Sequence, residues 1–161
     1  MSYDLRQYCK DNDIGCDDVD YEECQRPGTQ QPKKQIIRVY VAGPLSPKGL
    51  NTKHLAIDYL LNVRNMIEAG KELLLMGLSP FVPGIDYNFF LQLREGEEIS
   101  EEMIKRYSID WLLVCDAVLL LPGWIYSGGT KAEIKIAIKN DILIYQSMKE
   151  LKDAVHQARI S

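Results

Sequence analysis

Apolar positions follow two different regimes along this chain. From Ile36 onward they recur with the spacings of strands and helices; over residues 1 to about 34 they hardly recur at all. The first regular run, IIRVYVA (36–42), is β-branched and apolar, which predicts a buried strand ending at Gly43-Pro44. A helix is predicted from Leu55 to Met76, with Leu60, Val63, Ile67 and Leu74 on one face and Gly77 closing it. LSPFVP (78–83) reads as a short second strand, and the stretch GIDYNFFLQLREGEEI (84–99) keeps neither period. Next come a helix capped by Ser100 and running to about Val114, and a third strand, DAVLLL (116–121). A helix over 130–139, a fourth strand ILIY (142–145) and a last helix from Ser147 towards Arg159 complete the pattern.

Strands alternating with helices imply right-handed crossovers and a parallel sheet. The expected fold is α/β: a flavodoxin-like, doubly wound parallel sheet of four to five strands, order 2-1-3-4(-5), with all strands covered on both faces. It forms one domain over residues 35–161, preceded by a polar tail over 1–34. The tail is acidic, then polar and proline-bearing, and is expected to be flexible. Its Asp11-x-Asp13 is only a partial calcium-loop pattern and reads better as solvated charge.

Composition narrows the function classes. The 161 residues are 46% apolar and carry a net charge of −4, which argues against a nucleic-acid or anionic-membrane footprint. Cys9, Cys16, Cys24 and Cys115 lack paired zinc spacing, and His54 and His156 are the only histidines, so no metal is expected. No cofactor motif is present, neither GxxxxGK[ST] nor GxGxxG. With no signal peptide and no apolar run near 18 residues, the expected compartment is cytoplasmic.

In such sheets the ligand crevice opens at the carboxyl ends of the strands flanking the switch point. Here those are the first and third strands, whose exits are Gly43-Pro44-Leu45-Ser46 and Pro122 to Gly129. The second exit leads into SGGTKAE (127–133). Thr130-x-x-Glu133 fits a capping box, which needs no function. It also fits a glycine-opened helix start, at which a ligand meets the backbone and Glu133 points at that ligand. Gly128 and Gly129 offer amides, and Ser46 and Ser127 offer hydroxyls, to a phosphate or a polar sugar. Glu133, placed at a helix N-terminus, is expected to stay ionised and so to suit nucleophilic attack on an anomeric carbon.

VYVAGPLS, NVRNMIEAGKELLLMGLSPFVP and CDAVLLLPGWIYSGGTKAEIKIA together resemble the nucleoside 2-deoxyribosyltransferase-like superfamily, in particular its small phage- and bacterium-associated branch. The likeness spans about residues 36–145. It implies chemistry at the N-glycosidic bond of a small-molecule nucleoside or nucleotide: base exchange, or hydrolysis as in the deoxynucleoside 5′-monophosphate N-glycosidases. Glu133 matches the nucleophile, and Tyr40 an aromatic position lining the pocket. Ser127, six residues before the nucleophile, matches the serine of the monophosphate hydrolases, whereas transferases carry aspartate there. The superfamily's supporting carboxylate would fall at Ser108, three residues before Trp111; Asp110 is the nearby candidate for that role. Tyr87, Phe89 and Phe90 could form a lid stacking on a base or pack an interface. Homodimers or larger homo-oligomers are common in the superfamily. A phosphoribohydrolase of the cytokinin-activating type, whose PGGxGTxxE is similar to PGW…SGGTKAE, remains an alternative. So do a non-catalytic nucleotide sensor and an interaction module acting through the tail.

Overall fold

The computed structural model describes residues 36–46 and 55–160. The tail over 1–34, with Cys9, Cys16 and Cys24, and His54 lie outside them. Four strands, β1 (Arg38–Ala42), β2 (Ser79–Phe81), β3 (Ala117–Leu120) and β4 (Leu143–Tyr145), form one sheet in the order β2-β1-β3-β4. All three pairings are parallel, with Tyr40 opposite both Phe81 and Val118. Among the described residues five α-helices accompany them: α1 (Leu55–Leu75), the short α2 (Pro83–Asp86), α3 (Glu101–Val114), α4 (Gly128–Lys139) and α5 (Met148–Ile160). The α/β class, the parallel sheet and its order are as the sequence pattern predicts.

The central strands carry the core. Val39 to Ala42 and Ala117 to Leu120 are essentially inaccessible, whereas the outer strands β2 and β4 keep partly exposed residues. Coverage on both faces therefore holds for β1 and β3 alone. Asp116, just ahead of β3, ties the two together. Its carboxylate accepts from the Ile37 and Arg38 amides at 3.2 and 2.8 Å and from the Arg38 guanidinium. Burial alone would push its pKa up, but these donors hold it below the usual carboxylate value.

Local chemistry sets the helix ends. The Ser100 hydroxyl caps α3 by accepting from Met103 N, with Glu101 and Glu102 in the first turn. Gly77 closes α1 in the left-handed region, φ +77°, as only glycine does without strain. The buried face of α1 is not the apolar face read from its spacing. Met66, Ala69, Gly70 and Leu73 meet the sheet, while Leu60, Ile67 and Leu74 are exposed. The helix has apolar residues on several sides, and close approach to the sheet selects the face with small residues rather than the most apolar one. A Cβ on Gly70 would lie 2.7 Å from Val82 Cγ2. Gly70→Ala is therefore expected to destabilise the domain by about 1–2 kcal/mol in chemical denaturation, because overpacking outweighs the gain in helix propensity. Unchanged or higher stability would mean that Val82 yields.

The stretch over 84–99 is also more ordered than its sequence period suggests. It holds the end of α2 and a 3-10 helix, Tyr87–Gln92, too short to leave a periodic signature. None of the described helices is long and apolar enough to cross a membrane.

Candidate active site

The exits of β1 and β3 meet at the carboxyl edge of the sheet. Gly43 lies against the Leu121 side chain so closely that a Cβ there would sit 3.0 Å from Leu121 Cβ. Gly123, at φ +84°, turns the chain after β3 beside Pro44. Between the two exits opens a cleft of about 180 Å³. Gly43, Leu45 and Ser46 line one side, and Ser127, Gly128, Gly129, Thr130 and Glu133 the other, with Pro83, Tyr87, Ile104 and Ser108 closing it.

The start of α4 shows that Thr130 and Glu133 do not form the capping box. Ser127 is the N-cap, its Oγ accepting from Thr130 N at 3.2 Å, so the helix begins two residues earlier than predicted. Thr130 is then inside the helix and Glu133 in its second turn. Glu133 does not close a box on Thr130; its Oε1 accepts from the Tyr40 hydroxyl at 2.7 Å. Ser147 and Glu150 do form a box-like cap on α5, where Ser147 Oγ accepts from Glu150 N and Glu150 Oε2 from Gln146 N. The same residue pattern therefore serves two different purposes in one chain.

The protonation state of Glu133 departs from the expectation. Too far along the helix to profit from its amides, the carboxyl is pushed up from 4.5 to about 7 by burial, against a lowering by the Tyr40 hydroxyl. Near neutrality it exists in both forms. Tyr40 itself is wholly buried in β1, beneath Glu133 rather than on the cleft wall, and stacks on Phe81 at 5.5 Å. Burial first, and the Glu133 charge second, raise its pKa far enough to keep it a donor.

The Tyr40–Glu133 bond yields a direct prediction. Tyr40→Phe removes the one group that favours the Glu133 carboxylate, and a hydrogen bond to a charge contributes roughly 1.5–3 kcal/mol. The Glu133 titration, followed by carbon NMR of the side-chain carboxyl, is expected to move from about 7 upward by about one to two pH units. A midpoint that stays put would show that the hydroxyl does not bond the carboxylate.

The other expected site residues divide plainly. Gly43, Ser46, Ser127, Gly128 and Gly129 come together around the cleft. The Gly128 and Gly129 amides have no acceptor within their own helix and can meet an anion, and Ser127, although accepting from Thr130, still has its proton to give. Asp110 does not join them. It is exposed on α3 and 3.9 Å from Arg106, because two residues along a helix turn the side chain about 200° away from Ser108. Ser108, not Asp110, faces the cleft. Of the lid aromatics, Tyr87 lines the cleft and stacks on Phe90 at 5.7 Å, while Phe89 packs edge-on against Tyr107.

Sequence reasoning missed Thr130 as a site residue. It is 2% exposed, lines the cleft, and its Oγ1 is buried without a partner. Among the described residues, no three His, Cys, Asp or Glu side chains converge as metal ligands. Cys115 is a buried free thiol, raised to about 11 by burial.

Residues 37–146 match the family described as Domain of unknown function (DUF4406), and the chain belongs to that family. The matched span contains every residue of the cleft. No curated protein and no solved structure matches the chain.

Proposed function

We propose that this DUF4406 domain breaks the N-glycosidic bond of a nucleoside 5′-monophosphate, or of a deoxynucleoside, with Glu133 as nucleophile. The observation that carries this reading is the pairing of Tyr40 and Glu133 at 2.7 Å in a cleft walled by a helix N-terminus. A carboxylate beside an anion site is the arrangement that sugar-phosphate chemistry needs. The resemblance to nucleoside 2-deoxyribosyltransferases, carried by AGPLS, PGW and SGGTKAE, supports the same reaction class.

In this reading Glu133 Oε attacks the anomeric carbon as the carbon–nitrogen bond breaks. The base leaves with the bonding electrons and takes a proton from solvent. Water, or a second base, then displaces Glu133 from the glycosyl ester. Ser46, Ser127 and the Gly128 and Gly129 amides hold the phosphate or the 5′ end. Tyr40 steadies the carboxylate that is regenerated. A cleft of about 180 Å³ takes a sugar and a phosphate but is smaller than the roughly 300–1,000 Å³ that encloses a whole ligand. The base then lies in the open mouth against Tyr87.

One observation favours a second reading, a nucleotide sensor without turnover. Ser108 stands where the resemblance expects a supporting carboxylate, leaving Glu133 as the only carboxylate among the described cleft residues. Incubation with a panel of deoxynucleosides and their 5′-monophosphates, followed by chromatography, separates the two. Free base appearing with at least one substrate supports the enzyme; tight binding with no base released supports the sensor.

A further inference from the structure

Three side chains spaced three residues apart, Ser127, Thr130 and Glu133, share one face at the start of α4 and all line the cleft. Two have defined partners: Ser127 caps the helix, and Glu133 accepts from Tyr40. Thr130 has none. A buried helical threonine ordinarily bonds the carbonyl three or four residues back, here that of Ser127 or Tyr126, and Thr130 Oγ1 does not. If packing alone decided this position, valine would fill the same space without the unpaired hydroxyl. An unpaired hydroxyl at a cleft wall is instead suited to a group that arrives with the ligand.

Its position indicates which group. Along the helix axis Thr130 lies about 4.5 Å from Glu133 and a similar distance from Ser127. A sugar bridging an anomeric carbon at Glu133 and a phosphate at Ser127–Gly129 presents its ring edge at that level. A negative group is disfavoured there by the Glu133 carboxylate one turn away. A hydroxyl both donates to and accepts from another hydroxyl.

We propose that Thr130 is a specificity-determining residue whose Oγ1 hydrogen-bonds a ring hydroxyl of the substrate's sugar. The assignment rests on the reading of the cleft as a sugar-phosphate site. Oγ1 is itself buried, so this bond requires a rotation about χ1 of Thr130. In a 2-deoxypentose held by its phosphate and its anomeric carbon, the ring hydroxyl left to meet Thr130 is the 3-hydroxyl.

The test compares the unmutated protein with Thr130→Val and Thr130→Ser, using calorimetric binding of 2-deoxyribose 5-phosphate and of its 3-deoxy analogue. Thr130→Val is expected to keep or raise the melting temperature, since it removes an orphan polar atom. It should weaken 2-deoxyribose 5-phosphate by roughly ten- to a hundredfold and leave the 3-deoxy analogue unchanged. Thr130→Ser should restore the discrimination. Equal binding of the hydroxylated sugar by the unmutated and valine proteins, or equal weakening of both ligands, overturns the assignment. Base release by the unmutated protein, measured on the same preparation, shows which reading has failed. Release without discrimination at Thr130 removes this inference and leaves the glycosidic reading standing. Neither release nor sugar-phosphate binding removes both.

Discussion

Glu133→Gln is expected to abolish base release, by at least a thousandfold (~4 kcal/mol of barrier), while leaving the fold intact. The amide keeps the shape of the side chain but cannot form a glycosyl ester. Stability should respond in the opposite direction, and only above mildly acidic pH. The folded carboxyl titrates near 7 against 4.5 ordinarily, so the folded state holds its proton more tightly than the unfolded chain does. This stabilisation is fully present below pH 4.5 and is lost as pH rises towards 7. At about 1.4 kcal/mol per pH unit the loss approaches roughly 3 kcal/mol. Glutamine does not ionise, so the variant should match the unmutated protein near pH 4 and exceed its stability at pH 8. Denaturant titrations at both pH values check this. A variant that releases base at the normal rate removes Glu133 from the mechanism.

A preference for 5′-monophosphates over free nucleosides of about ten- to a hundredfold in kcat/KM is the second expectation. It follows from a charge-assisted hydrogen bond contributing roughly 1.5–3 kcal/mol at the α4 start. Ser127→Asp isolates that effect cleanly. Serine and aspartate are both good N-caps, so the bond to Thr130 N and the helix start survive the change. Only the charge changes. The aspartate repels phosphate and accepts a 5′-hydroxyl, so the preference should reverse. An unmutated protein that turns over both substrate types equally points to base exchange on nucleosides rather than monophosphate hydrolysis.

Features that depend on short sequence spacings were legible, and those that depend on distant partners were not. The sheet order follows from strand–helix alternation, and the crevice follows from the order. Gly43, Ser46 and Ser127 to Gly129 could thus be brought together before any geometry was known. Ser100 and Gly77 mark their helix ends by local chemistry alone. The Tyr40–Glu133 bond joins residues 93 apart, and the Asp116 contacts to Ile37 and Arg38 join residues 79 and 78 apart; no periodicity encodes either. The ionised Glu133 expected from the helix dipole gave way to burial once α4 began at Ser127. The buried face of α1 is not legible from spacing, because the helix is apolar on several sides and the choice belongs to Gly70 and Val82. Asp110 was a matter of helical phase: Ser108 faces the cleft, so a residue two positions on cannot.

Covalent attack by Glu133 is most directly tested by intact-protein and peptide mass spectrometry after incubation with a 2′-fluoro-2′-deoxynucleoside 5′-monophosphate. The fluorine destabilises the oxocarbenium-like transition states, and breakdown of the ester is slowed enough for it to accumulate. The expected result is one added sugar-phosphate mass on the peptide containing Glu133, absent from Glu133→Gln. Base release by the unmutated protein with the adduct on a different peptide, or with inversion at the anomeric carbon and no adduct, would contradict it.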